Sequence, residues 1–109
     1  MKLTQIPFTA IDWTTITPEE HDGVHGKALR KVVKQGNVRV RIVRYTPGYL
    51  ADHWCEKGHI VFVLEGEFTS ELKDGRTYHV AKGMSYIVAD GADAHRSSTT
   101  EGVTLLIVD

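Results

Sequence analysis

The sequence predicts an all-β fold, an antiparallel sandwich or barrel. Three observations carry that expectation. Short runs rich in β-branched and aromatic residues alternate with period two. Turn signals separate them at short, regular intervals, as sandwiches and barrels require. No stretch shows the 3.6-residue period of an amphipathic helix, so a parallel sheet would lack its crossover helices.

The first segment, residues 1–27, reads as an irregular head. Ile6, Phe8, Ile11 and Trp13 are apolar enough to pack on something. Thr17, Pro18 and Glu20 match the N-cap, N1 and N3 positions of a helix start. Gly23 and Gly26 follow closely, so at most one turn is expected. Residues 28–109 read as a single strand-rich body. Val38, Val40 and Ile42 alternate with Arg39, Arg41 and Val43, and the apolar set is expected to face inward. Pro47-Gly48 ends that strand. Further strands are expected at 49–55, 59–65, 68–73, 76–80, 85–89, 95–100 and 103–108. Asp74-Gly75 predicts a two-residue type I′ hairpin.

Composition excludes several function classes. At 109 residues the chain is one domain long, enough to bury a core without disulfide staples. Thirteen Lys and Arg against fourteen Asp and Glu leave a net charge of -1, so no global field attracts nucleic acid or anionic membrane. Arg30, Lys31, Lys34, Arg39 and Arg41 form a basic stretch, but no aromatic residue interleaves it before Tyr45. A solvated strand face is the expectation there. A single cysteine, Cys55, rules out an intrachain disulfide and fits a reducing compartment. The start lacks the apolar core of a signal peptide, and the longest apolar run, 60–64, is too short to span a bilayer. A cytoplasmic location is expected.

The chemistry-bearing residues cluster. His53 and Cys55 are two apart on an expected strand, so both leave one face. His59 opens the next strand after a short turn, and His95 opens another. If the sheet curls, four donors converge inside. Imidazole and thiolate suit Zn²⁺, and imidazole also suits iron, nickel and copper. One buried His or Cys is usually packing; three within seven positions favour ligation.

The spacing of Gly48, His53, Cys55, His59 and Gly66 resembles the first motif of the cupins, and Gly83 to His95 resembles the second. By position His53 matches the first motif histidine, Cys55 the second histidine, His59 the glutamate and His95 the later histidine. Cys55 and His59 depart from the usual residues, Ala89 stands where the second motif has proline, and His95 comes one residue late. Gly48 through Cys55, with Lys57-Gly58-His59, is still more similar to bacterial DHCW-motif cupin fold proteins. The resemblance implies a cupin-type antiparallel jelly-roll barrel holding a divalent metal ion through His53, Cys55, His59 and His95. It implies a fold and a site, and no reaction.

Coordination chemistry separates the functional alternatives. Three histidines and a thiolate fill a tetrahedral zinc site and leave no open position. Such a closed site suits a non-catalytic binding or sensing module. With Cys55 unbound, His53, His59 and His95 form an open three-histidine set, similar to the iron site of thiol dioxygenases. Zinc is the first expectation, with iron or nickel as alternatives. The leading expectation is a metal-binding barrel with a pocket for a small polar or anionic molecule, enzymatic or not. Pocket candidates by strand parity are Arg44, Tyr49, Ser97 and Thr99, with Tyr86 as a further phenolic donor. The run 60–64 is apolar on both faces, so the head or a second subunit must cover the outer one. A homodimer is the expectation.

Overall fold

The computed structural model describes residues 2–109. Eight strands are present: β1 (Glu19–Asp22), β2 (Lys27–Gln35), β3 (Val38–Tyr45), β4 (His59–Leu72), β5 (Thr77–Ala81), β6 (Ser85–Val88), β7 (His95–Ser98) and β8 (Val103–Val108). Every pairing between them is antiparallel. One sheet runs β1-β2-β3-β8 and then meets the first half of β4, which also pairs β6. The second half of β4 crosses into the other sheet, between β5 and β7.

Sequence reading split β4 at Gly66; the structure makes it one strand of 14 residues with a corner. The pairing to β8 shifts register between Val63 and Glu65, and a bulge of this kind bends and twists a strand. Gly66 sits at the bend with φ +79°. A Cβ there would lie 2.3 Å from the Gly102 carbonyl oxygen, so only glycine allows the two backbones to approach.

Three local expectations are corrected. The helix start at Thr17-Pro18 is absent, because Glu19–Asp22 pairs with β2 and long-range pairing overrides a local cap. The short helical turn lies earlier, at Trp13–Thr15, where the Asp12 carboxylate accepts from the Thr14 N–H at 3.0 Å. The hairpin at Asp74-Gly75 is not type I′, since Gly75 alone carries positive φ. Gly75 N–H donates to Leu72 O and Leu72 N–H to Arg76 O, the three-residue hairpin with a left-handed glycine.

The largest correction concerns β3. Its inner face is Arg41, Val43 and Tyr45, and Val40, Ile42 and Arg44 face outward. Arg41 is 9% exposed, whereas Arg44 is exposed. An apolar–charged alternation fixes which residues share a face; it does not fix which face is inner when the interior itself is polar. The basic stretch is therefore divided: Arg30 and Arg41 turn into the barrel.

The core lies at one end of the barrel. Val43, Val61, Val63, Phe68, Val80, Val103 and Leu105 are each at most 3% exposed and pack together. On the outer side Ile60 faces Ile87 and Val108, and Phe62 faces Leu106. The head follows the β2–β3 hairpin, with Thr4 N–H donating to Asn37 Oδ1 and Lys31 Nζ to Trp13 O. It leaves Ile60, Phe62 and Ile87 uncovered, at 39%, 40% and 76% exposure. Among the described residues no helix is long and apolar enough to cross a membrane.

Candidate metal centre

The other end of the barrel is open and polar. A cavity of about 340 Å³ is walled by β2, β3, β7 and the segment between β3 and β4. Cys55, His59 and His95 meet in it, their donor atoms all within 4.8 Å of one another. His59 comes from the first residue of β4 and His95 from the first residue of β7. Cys55 reaches them because its backbone pairs with His95 in both directions, N–H to O at 2.7 and 3.0 Å.

His53 is placed elsewhere. The expected strand 49–55 is interrupted: Ala51 bonds to Ser97 and Cys55 to His95, so four steps on one side span two on the other. The extra residues bulge outward and break the period-two relation between His53 and Cys55. The His53 side chain is 74% exposed and its Nδ1 lies 2.7 Å from Asp52 Oδ1. It stands at the cavity rim, outside the three-donor group.

The imidazoles are preset. His95 Nδ1 donates to the Asp93 carbonyl at 2.9 Å, which leaves Nε2 as the ring nitrogen turned to the cluster. That Nε2 lies 2.9 Å from His59 Nε2, and the Tyr86 hydroxyl is 3.0 Å from the latter. Burial, and then the neighbouring His95, push His59 down to about 4, so it is neutral near pH 7. Its Nδ1 is buried without a hydrogen bond, 3.6 Å from Asp109 Oδ2. The hydrogen bond with His95 holds the Cys55 thiol below its ordinary value and raises His95. Burial raises Tyr86, which stays a neutral hydroxyl.

These residues fit a divalent ion. A tetrahedral ion with Zn–N of roughly 2.0–2.1 Å sets two imidazole nitrogens about 3.3 Å apart. The observed 2.9 Å requires only a small widening. A neutral His59 and an acidified Cys55 are near their ligating forms. Three protein donors beside a cavity leave room for a fourth ligand.

The pocket candidates divide. Tyr49, Tyr86 and Ser97 line the cavity. Tyr49 stacks on Tyr45 with ring centroids 4.2 Å apart. Arg44 and Thr99 lie outside it. Thr99 Oγ1 donates to Glu67 O at 2.7 Å and accepts from Gly102 N–H, fastening the β7–β8 turn. Sequence reasoning missed Arg30, Arg41, Tyr45 and Asp109. Arg39 grips Asp109 with Nε and an NH2, at 2.8 and 3.1 Å, and Arg41 adds a contact at 3.0 Å. The signal was present in the parity of Arg41, Val43 and Tyr45, assigned to the wrong face.

Two sheets, a strand that turns the corner between them and a donor cluster in the open end define a small cupin-fold barrel. Solved structures place it among particular neighbours. It superposes on the polyketide cyclase RemF from Streptomyces resistomycificus with TM-score 0.79 and 20% identity, over 94% of this chain and 78% of that one. An RmlC-like cupin from Shewanella frigidimarina matches at TM-score 0.75 and 17% identity, over 96% and 92% of the two chains. A predicted oxalate decarboxylase from Thermotoga maritima matches at TM-score 0.75 and 14% identity, over 92% and 96%. At such identities the likeness is one of fold. No protein-family model matches the chain, and no curated protein matches its sequence.

Proposed function

We propose that the chain is a metal-dependent cupin whose open end binds a small polar molecule at an ion held by Cys55, His59 and His95. The observation that carries this reading is the convergence of those three donors beside a cavity of about 340 Å³. When held there, a divalent ion would supply Lewis acidity to a ligand oxygen or to water. The chain's own groups orient the ligand: Tyr86 offers a hydroxyl 3.0 Å from His59 Nε2, and Ser97 and Tyr49 offer further polar contacts on the wall.

The mixed donor set supports zinc, because thiolate is a soft ligand and a thiolate beside an oxygen-activating iron is exposed to oxidation. A three-histidine iron site would need His53, whose exposure and pairing with Asp52 disfavour it. A non-catalytic binding role remains the second reading and draws support from the lack of a carboxylate among the three donors. A second copy of the chain is the proposed cover for Ile60, Phe62 and Ile87.

The test is metal content of untagged protein by plasma mass spectrometry, wild type beside Cys55→Ser. Near-stoichiometric zinc in the wild type that falls in the variant supports the reading. Metal unchanged by Cys55→Ser overturns the thiolate ligand.

A further inference from the structure

The cavity wall beside the donor cluster carries more positive charge than it balances. Arg30 and Arg41 both face inward from adjacent strands. In the β2–β3 register Arg30 pairs with Val43 and Arg41 with Val32, so the two arginines are diagonal neighbours on one face. Arg41 is only 9% exposed, and its one acidic partner, Asp109, is already held by both arms of the Arg39 fork. Arg30 has no acidic partner among the described residues; its NH2 meets only the ring nitrogen of His21, at 2.6 Å. The Nε groups of both arginines are buried without any hydrogen bond. Arg39 and Arg41 thus share one carboxylate, and Arg30 has none.

Apart from the acidified Cys55 thiol, which faces the two histidines, the other charges on this cavity do not restore the balance. The two rim acids, Asp22 and Asp52, are exposed and lie against Lys27 and His53. Arg96 differs in having its own carboxylate, Glu71 at 3.3 Å, and the face of Trp54 at 4.6 Å, although its Nε too is buried without a hydrogen bond. Arginine does not relieve such a situation by losing its proton. A mobile anion can.

We propose that Arg30 and Arg41 form a seat for a small carboxylate, which makes the ligand of this cavity a carboxylic acid anion bound beside the Cys55–His59–His95 cluster. The inference rests on the metal-cavity reading for the function it serves, and on the arginines alone for its anion. Asp109 shows what this wall accepts: a planar carboxylate taken edge-on by a guanidinium fork, with a further arginine alongside. The cavity volume of about 340 Å³ limits the guest to a small molecule.

The experiment uses the full chain, ¹⁵N-labelled, with succinate as probe. The arginine Nε–H resonances are followed during titration, in chelator-treated and in zinc-supplemented protein. Succinamide, the uncharged analogue, and inorganic phosphate are run alongside. Saturable shifts with succinate, absent with succinamide, support the seat. Arg30→Gln leaves both arginines of Asp109 in place and so preserves the barrel; it should weaken succinate binding about tenfold or more. Arg41→Gln should do the same, with thermal unfolding as the control for folding. No saturation up to tens of millimolar overturns the proposal, as does an unchanged affinity in Arg30→Gln or equal binding of succinamide. Tighter binding of phosphate overturns the assignment to carboxylates. Because the chelated protein is titrated too, loss of the metal reading leaves this result standing, and loss of this result leaves the metal content untouched.

Discussion

The two ends of the barrel are built from the same strands and obey different rules. At one end Val63, Phe68, Val80 and Val103 fill the interior, each at most 3% exposed. At the other, Arg30, Arg41, Cys55, His59 and His95 line a space they do not fill. β3 and β4 contribute to both: Val43 is two residues from Arg41, and Val61 two residues from His59. The sheet pairing is indifferent to this change, because backbone hydrogen bonds form whichever side chain points inward. One end supplies the packing that holds the fold, and the other tolerates unmatched polar groups because that packing holds it in shape.

The sharpest way to break the contrast is a deletion at the packed end. Phe68 is 1% exposed within the core, so Phe68→Ala should cost about 3–5 kcal/mol in urea unfolding. Removing a buried group from the open end should act on the ion instead. His59→Ala should lower zinc affinity by about a hundredfold or more in a competitive chelator titration. Its loss of unfolding stability, measured in metal-free protein, should be smaller than that of Phe68→Ala.

Acid probes the open end selectively. His59 is near 4 in the folded barrel against 6.5 unfolded, so the unfolded chain binds the extra proton between those values. Stability of the metal-free protein should therefore fall as pH drops from about 6.5 toward 4. Asp109, held low by Arg39 and Arg41 against its burial, extends the loss below its ordinary range. His95, raised by Cys55, works the other way and withdraws its contribution as pH rises through its folded value. His59→Gln should flatten the acid limb in thermal melts against pH. A variant that keeps the limb would assign it to other groups. The smallest effect is expected at the rim: His53→Ala should change zinc affinity less than about threefold. A large loss there would bring His53 back to the ion.

Much of this architecture was legible in the sequence. Turn residues marked the strands, since Gly66, Gly83 and Gly102 all carry the positive φ that the corners need. The convergence of Cys55, His59 and His95 followed from curling the sheet around spaced donors. Two things were hidden for physical reasons. Period-two reasoning put His53 beside Cys55, but it assumes an unbroken strand, and the extra residues at Asp52 and His53 break it. It also gave the correct pairs of faces on β3 with inner and outer exchanged. Hydrophobic residues go inward where the interior is dry; Arg41 goes inward because Asp109, one residue past β8, and an open cavity receive it. The positions 40 and 42 lie instead on an apolar outer face with Leu106 and Val108. A face of that kind predicts self-association, checked by sedimentation at micromolar concentration.

β4 also sets the order in which the chain can assemble. It is the common partner of β5, β6, β7 and β8, through both halves of its length. The hairpin to β5 closes over a few residues, but β3 must wait for β8 across the whole intervening chain, joining Val40 to Val108. Loops that long are entropically slow to close. Folding is thus expected on the millisecond-to-second scale of domains dominated by distant contacts. The core around Phe68 shares in that wait, because it takes Val43 from β3 and Val103 and Leu105 from β8.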